Sequence, residues 1–149
     1  MAIDRRSEMS PEEMDAFLGV HETGVISLAR TDEPYAIPIS FGYDASDRQF
    51  YMRLVSASNS EKRRFLDSTP DARLVIYDAD DDVYRSVIAV GTLVHIDPGE
   101  LTVEDVQQYG DAKRPLFEIW PNRKGELDIE LYRLDPETLS GRLVEVSRE

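Results

Sequence analysis

The chain has no cysteine, which removes disulfides, thiolate metal sites and a cysteine nucleophile together. It has only two histidines, His21 and His95, and with no thiol beside them a zinc site is not expected. Both read as structural residues. The 8 glycines are scattered singly, so there is no Gly-rich loop of the Walker or dinucleotide type to cradle a phosphate. No G-x-S-x-G elbow is present for a serine hydrolase. No apolar run approaches the roughly 18 residues of a membrane span. The opening residues, MAIDRRSEMSPEEM, lack the apolar stretch of a secretory signal. A cytoplasmic location with no membrane partner is the expectation.

Lysine is scarce as well. There are 14 arginines but only Lys62, Lys113 and Lys124, set against 30 acidic residues, for a formal charge of −13. Acidic side chains keep a surface hydrated where salt screens other interactions, the Debye length being about 3 Å at 1 M. The balance resembles that of cytoplasmic proteins from salt-accumulating halophiles. With no basic face large enough to release many counterions, nucleic acid is not an expected partner.

At 149 residues the chain fits one domain, expected over residues 1–149. Such a chain buries roughly 70% of its unfolded surface, enough for a core without staples. No internal repeat or linker interrupts it.

The first helix is written in Ser10-Pro11-Glu12-Glu13: an N-cap serine, proline at the first helical position and a capping-box glutamate. Met14, Phe17 and Leu18 form its apolar stripe. Strands are predicted over 25–29, 35–43 and 49–54. Pro38 cannot donate to a ladder, so its strand should be an edge or carry a bulge. Ser60 or Asn59 can cap a short helix to about Leu66. Further strands are predicted over 72–77 and 84–96, the second bending at Gly91. Two short helices are expected between Leu101 and about Trp120, then strands over 128–134 and 142–146. Short links favour antiparallel pairing, and there are too few helices for parallel crossovers. The fold class expected is mainly β (α+β): an antiparallel, closed or half-closed barrel flanked by short helices.

Two clusters invite a chemical reading. Asp78, Asp80 and Asp82 match positions 1, 3 and 5 of a calcium loop. Val83 and Ala89 then stand where glycine and glutamate are needed, so a solvated turn is the better reading. The stretch Ser56 to Phe65, SASNSEKRRF, gathers Lys62, Arg63 and Arg64 with several hydroxyls, and Arg53 lies just upstream. If Ser60 caps a helix, the free N–H groups of its first turn lie beside these cations. Cations, amides and hydroxyls held close together are what a phosphate requires. The plain alternative is a solvated helix face pairing with Glu61 and Asp67.

Four runs in order, Gly24-Val-Ile-Ser-Leu-Ala, Pro34-Tyr-Ala-Ile-Pro-Ile-Ser-Phe-Gly-Tyr, Phe50-Tyr-Met-Arg and Ser60-Glu-Lys62, resemble the N-terminal half of the pyridoxamine-5′-phosphate-oxidase-like flavin-binding family of split β-barrels. The resemblance implies an FMN-binding homodimer with the flavin at the subunit interface. It puts the phosphate on Arg53, Ser60 and Lys62, with Ser58 a short donor beside them. The edge of the isoalloxazine would lie along Pro38, Ile39, Ser40 and Phe41, through backbone groups. Arg114 and Trp120 are the best candidates for a segment closing over the ring, although Trp120 reads equally as a dimer-core or barrel-lid aromatic. The C-terminal arginine and histidine motif of the pyridoxal-forming oxidases is not recognisable, so pyridoxine oxidation is not implied. The function expected is a flavin-dependent oxidoreductase on an unknown small molecule, with NAD(P)H a possible donor and no catalytic residue named. The alternatives are a non-catalytic flavin carrier or sensor, or a split barrel holding F420 or haem.

Overall fold

The computed structural model describes residues 4–57, 71–96 and 127–146. Their elements are β1 (Asp4–Glu8), α1 (Pro11–Val20), β2 (Thr23–Arg30), β3 (Glu33–Ser40), β4 (Gly42–Asp44), β5 (Gln49–Ala57), β6 (Asp71–Asp80), β7 (Val83–Ile96) and β8 (Leu127–Val146). Every pairing among them is antiparallel.

The helix forms as its sequence dictates. The Ser10 side chain accepts from the Glu13 N–H, and the Glu13 carboxylate accepts from the Ser10 N–H, each at 3.1 Å. Pro11 opens the helix, and Met14, Phe17 and Leu18 are its buried residues.

The strands run in the order β3-β2-β6-β7-β8-β5-β4, with β1 added on β8. The two ends of that path, β3 and β4, are consecutive in sequence and separated only by Phe41. The sheet therefore rolls until its edges meet, and Phe41 is the seam. Its side chain is 2% exposed, and its N–H donates to the Glu22 carbonyl at 2.9 Å. β3 also touches β5 there. Inside the roll, Ile26, Leu28, Ile39, Phe41, Phe50, Met52, Leu74, Ile76, Val87, Ala89 and Leu134 form the core with Phe17 and Leu18 of α1. Because strand side chains alternate, the residues between these face outward.

The expectation for Pro38 holds, since β3 is an edge of the strand path. So does that for Gly91: the β7–β8 register shifts between Val90 and Gly91, where Val90 pairs with Thr138 and Gly91 with Pro136. A Cβ at Gly91 would run into the Asp135 carbonyl, so only glycine allows the strands to approach at this bulge.

Three boundaries differ. The two strands expected over 128–134 and 142–146 are one 20-residue strand, β8. Pro136 stands at the bulge, paired with Gly91, so it does not end the strand. The strand expected over 35–43 breaks at Phe41, because there the chain leaves β2 for β5. The turn expected across the aspartates shrinks to Asp81 and Asp82, the latter's neighbour Val83 pairing with Asp80. β1 was not foreseen; its DRRSE has no apolar period and is ordered by pairing with β8. The helices expected near 60–66 and 101–120 lie outside the described residues.

Candidate functional site

Arg53 is on β5, where Phe50, Met52 and Leu54 enter the core. Alternation turns Tyr51 and Arg53 to the outer face. There Tyr51 packs with Ile96, Val94 and Leu131 in a second, smaller apolar cluster. Leu131 is the ladder partner of Arg53, so the arginine stem rises from an apolar floor, and its Nε is buried. A long side chain supported in this way presents its guanidinium with few alternative rotamers.

Ser40 ends β3 with Ile39 and Phe41 both directed into the core, so Ser40 also belongs to the outer face. β4 and β5 pair Gly42 with Tyr51 and Tyr43 with Phe50. Continuing that register back across the Phe41 seam brings Ser40 level with Arg53. On its other side Ser40 pairs with Thr23 of β2. Leu131, Arg53, Ser40 and Thr23 thus form one row across the outside of the barrel.

Ser40 is 2% exposed, and its hydroxyl has no hydrogen-bond partner among the described residues. Buried hydroxyls are normally satisfied, and one that is not costs about 1–3 kcal/mol.

Next along β3, Pro38 pairs with Val25 of β2, and Val25 pairs with Val75 of β6. Here Thr23, Gly24, Val25, Pro38 and Tyr77 line an open cleft of about 360 Å³. That is near the lower end of the roughly 300–1,000 Å³ of small-molecule sites.

Of the residues named from the sequence, the structure thus brings together Arg53, Ser40 and Pro38. Ile39 and Phe41 contribute backbone only, since their side chains belong to the core. Ser58, Ser60, Lys62, Arg114 and Trp120 lie outside the described residues. Thr23, Val25 and Tyr77 were missed. The alternation of Leu74 and Ile76 against Val75 and Tyr77 could have turned Tyr77 outward, but nothing local places β6 two strands from Pro38.

The other polar clusters hold the fold. His21 Nδ1 lies 2.7 Å from the Phe17 carbonyl oxygen and its Nε2 3.0 Å from an Asp78 carboxylate oxygen. Arg85 donates to both oxygens of Asp78, at 3.2 and 2.7 Å, and its guanidinium sits 5.1 Å from the Phe17 ring centroid. At the other flank of α1, the Tyr43 hydroxyl donates to Asp15 at 2.6 Å, and Arg48 donates to both Asp15 oxygens. Burial pushes the Asp15 carboxyl up, but the hydrogen bonds from Arg48 and Tyr43 and the Arg48 charge outweigh it and hold it below its ordinary 3.8. Burial first, and then the Asp15 carboxylate, push the Tyr43 hydroxyl well above 10.0. No group of three or more potential metal ligands occurs among the described residues. No helix among them is long and apolar enough to cross a membrane.

A buried cation stem, an adjacent hydroxyl without a partner and a bordering apolar cleft suit a ligand with an anionic end and a flat apolar end.

Comparison with known proteins agrees with this architecture. An FAD-binding protein from Mycobacterium smegmatis superposes with a TM-score of 0.67 at 17% identity, over 93% of this chain and 98% of that one. A FAD-binding protein from Mesorhizobium loti gives 0.68 at 15% identity, over 97% and 99%. A heme-binding protein from M. smegmatis gives 0.61 at 15% identity, over 89% of this chain but only 54% of that one. At these identities the likeness is one of fold. No curated protein matches the sequence. The family model described as pyridoxamine 5′-phosphate oxidase matches residues 10–143. That match spans the helix, the barrel seam and the outer row alike, and the chain belongs to the pyridoxamine 5′-phosphate oxidase family.

Proposed function

We propose that the chain binds FMN on the outer face of the barrel and acts as a flavin-dependent oxidoreductase on a small molecule. The observation that carries this reading is the buried, partnerless Ser40 hydroxyl at the seam where β3 touches β5, the strand of Arg53. Family membership supports it, as do the two FAD-binding proteins of the same fold.

In this reading Arg53 neutralises the phosphate, with Ser58, Ser60 and Lys62 completing the corner. Ser40 turns its hydroxyl to the phosphate as the corner fills. Charge-assisted bonds of this kind contribute about 1.5–3 kcal/mol each. The backbone of Ile39 and Phe41 is rigid because both side chains are locked in the core, so it can orient a ring edge without paying for ordering. When bound, the flavin supplies hydride-transfer chemistry through its isoalloxazine. Arg114 and Trp120 would close over it, and a second copy of the chain would complete the site as a homodimer. NAD(P)H is the donor to test first.

For haem, His21 is a poor ligand, since both its nitrogens are already engaged, with Phe17 and Asp78, and His95 on β7 is the histidine to test.

The decisive experiment is the double variant Arg53→Ala with Lys62→Ala, titrated with FMN and with riboflavin. FMN affinity should fall by about a hundredfold or more, two such contacts being lost, while riboflavin changes little. Equal losses would mean that the phosphate is held elsewhere. The ligand that co-purifies, identified by mass, separates FMN from F420 and haem. Anaerobic bleaching by NADH or NADPH separates an enzyme from a carrier.

A further inference from the structure

Tyr77 is 68% exposed, and it lines the cleft shared by Thr23, Gly24, Val25 and Pro38. We propose that Tyr77 and Pro38 are the two walls of a stacking site for a planar heteroaromatic ring, and that the ring it takes is the isoalloxazine. The proposal rests on the flavin reading above and adds to it a residue that positions the ring.

The geometry follows from the sheet. Val25 is paired with Pro38 on one side and with Val75 on the other. Tyr77 follows Val75 by two residues on the same face. Val25 and Thr23 are therefore the floor: Pro38 rises from the strand on one side, level with Val25, and Tyr77 from the strand on the other, one step along on the Thr23 side of Val75. β3 and β6 are two strand spacings apart, roughly 10 Å, which leaves room for one flat ring between the side chains. Thr23 brings a hydroxyl to the rim next to Ser40, its partner across the ladder. The phosphate corner and the ring cleft thus share Thr23 and the β3 backbone, and an elongated ligand can lie across both. A tyrosine suits the wall because its ring offers a large flat face while its two χ angles cost little to order.

The test is the pair Tyr77→Ala and Tyr77→Phe, titrated with FMN, riboflavin and lumiflavin through flavin fluorescence, with the oligomeric state of each variant measured by sedimentation. Tyr77→Ala should weaken all three flavins by the same factor, on the order of tenfold, and should relieve the quenching of bound flavin. Tyr77→Phe should keep both affinity and quenching near the wild-type values, and neither variant should change its state of assembly. If FMN binds Tyr77→Ala as tightly as wild type, the stacking site is wrong and the flavin reading survives. A change of assembly in Tyr77→Ala would make the tyrosine an interface residue and overturn the proposal in the same way. Failure of wild-type protein to bind any of the three flavins overturns both.

Discussion

The polar residues around α1 and those in the outer row beside β3 are the same kinds of side chain in opposite states. Around the helix, Asp78 receives Arg85 and His21, and Asp15 receives Tyr43 and Arg48. On the outer face Ser40 is buried with its hydroxyl unused, and Tyr77, in the cleft beside it, is a large ring left in the open. Folding alone explains the first region, because each buried donor there has an acceptor. It does not explain the second, where a buried hydroxyl goes unused and a large ring lies in the open. That asymmetry marks out the outer face more sharply than charge does, since arginine and carboxylate pairs recur at Arg48, Arg85 and Arg133.

The largest effect expected is at the helix. Phe17 is 2% exposed, lies with its ring centroid 4.0 Å from that of His21 and carries the Arg85 guanidinium on its face. Phe17→Ala should destabilise the protein by about 3–5 kcal/mol in denaturant titration, and it should loosen the Asp78 cluster as well. A loss below about 1.5 kcal/mol would show that the cluster stands without its aromatic base.

Tyr43→Phe tests one satisfied bond. It removes the hydroxyl donor to Asp15 and keeps the ring, which packs 4.9 Å from Phe50 between centroids. The expected cost is about 1.5 kcal/mol at neutral pH, read from denaturant midpoints. The pH dependence has a definite sign. The Asp15 carboxyl is held below 3.8 in the folded protein, so its contribution is complete above that value and is lost as pH falls through the folded one. The gap between Tyr43→Phe and wild type should therefore narrow in acid. For Tyr43 itself, raised above 10.0, stability is complete below that value and declines as pH rises past it. A gap that widened in acid would mean that Tyr43 bonds the neutral carboxyl better.

What could be read from the chain beforehand follows the range of the interactions. α1 was legible because Ser10, Pro11 and Glu13 are neighbours in sequence and act on one another. The Gly91 bend was legible because a lone glycine in a strand has few other uses. β8 was not read as one strand, because residues 135–141 carry no strand pattern of their own and pair only with β7, across its bulge. β1 carries no pattern of its own and exists through a partner more than a hundred residues away. The site divides in the same way. Arg53 was visible beside the basic cluster on its own segment, and Pro38 to Phe41 through family resemblance. Thr23 joins the row, and Tyr77 the cleft beside it, only through β2–β3 and β2–β6 pairing, which no short window contains.

Ser40→Ala is the smallest change and the one that decides whether the contrast is real. An unused buried hydroxyl should be a liability to the fold, so its removal should leave stability within about 1 kcal/mol of wild type or raise it. The same substitution should weaken FMN several-fold while sparing riboflavin, because the hydroxyl serves the phosphate and not the ring. That split, neutral for folding and costly for one ligand, is what an unsatisfied group kept for binding must show. A loss of more than about 1.5 kcal/mol with no change in FMN affinity would put Ser40 in the same class as Tyr43, a hydroxyl the fold itself uses. The outer row would then have no more claim to be a site than the polar clusters around α1.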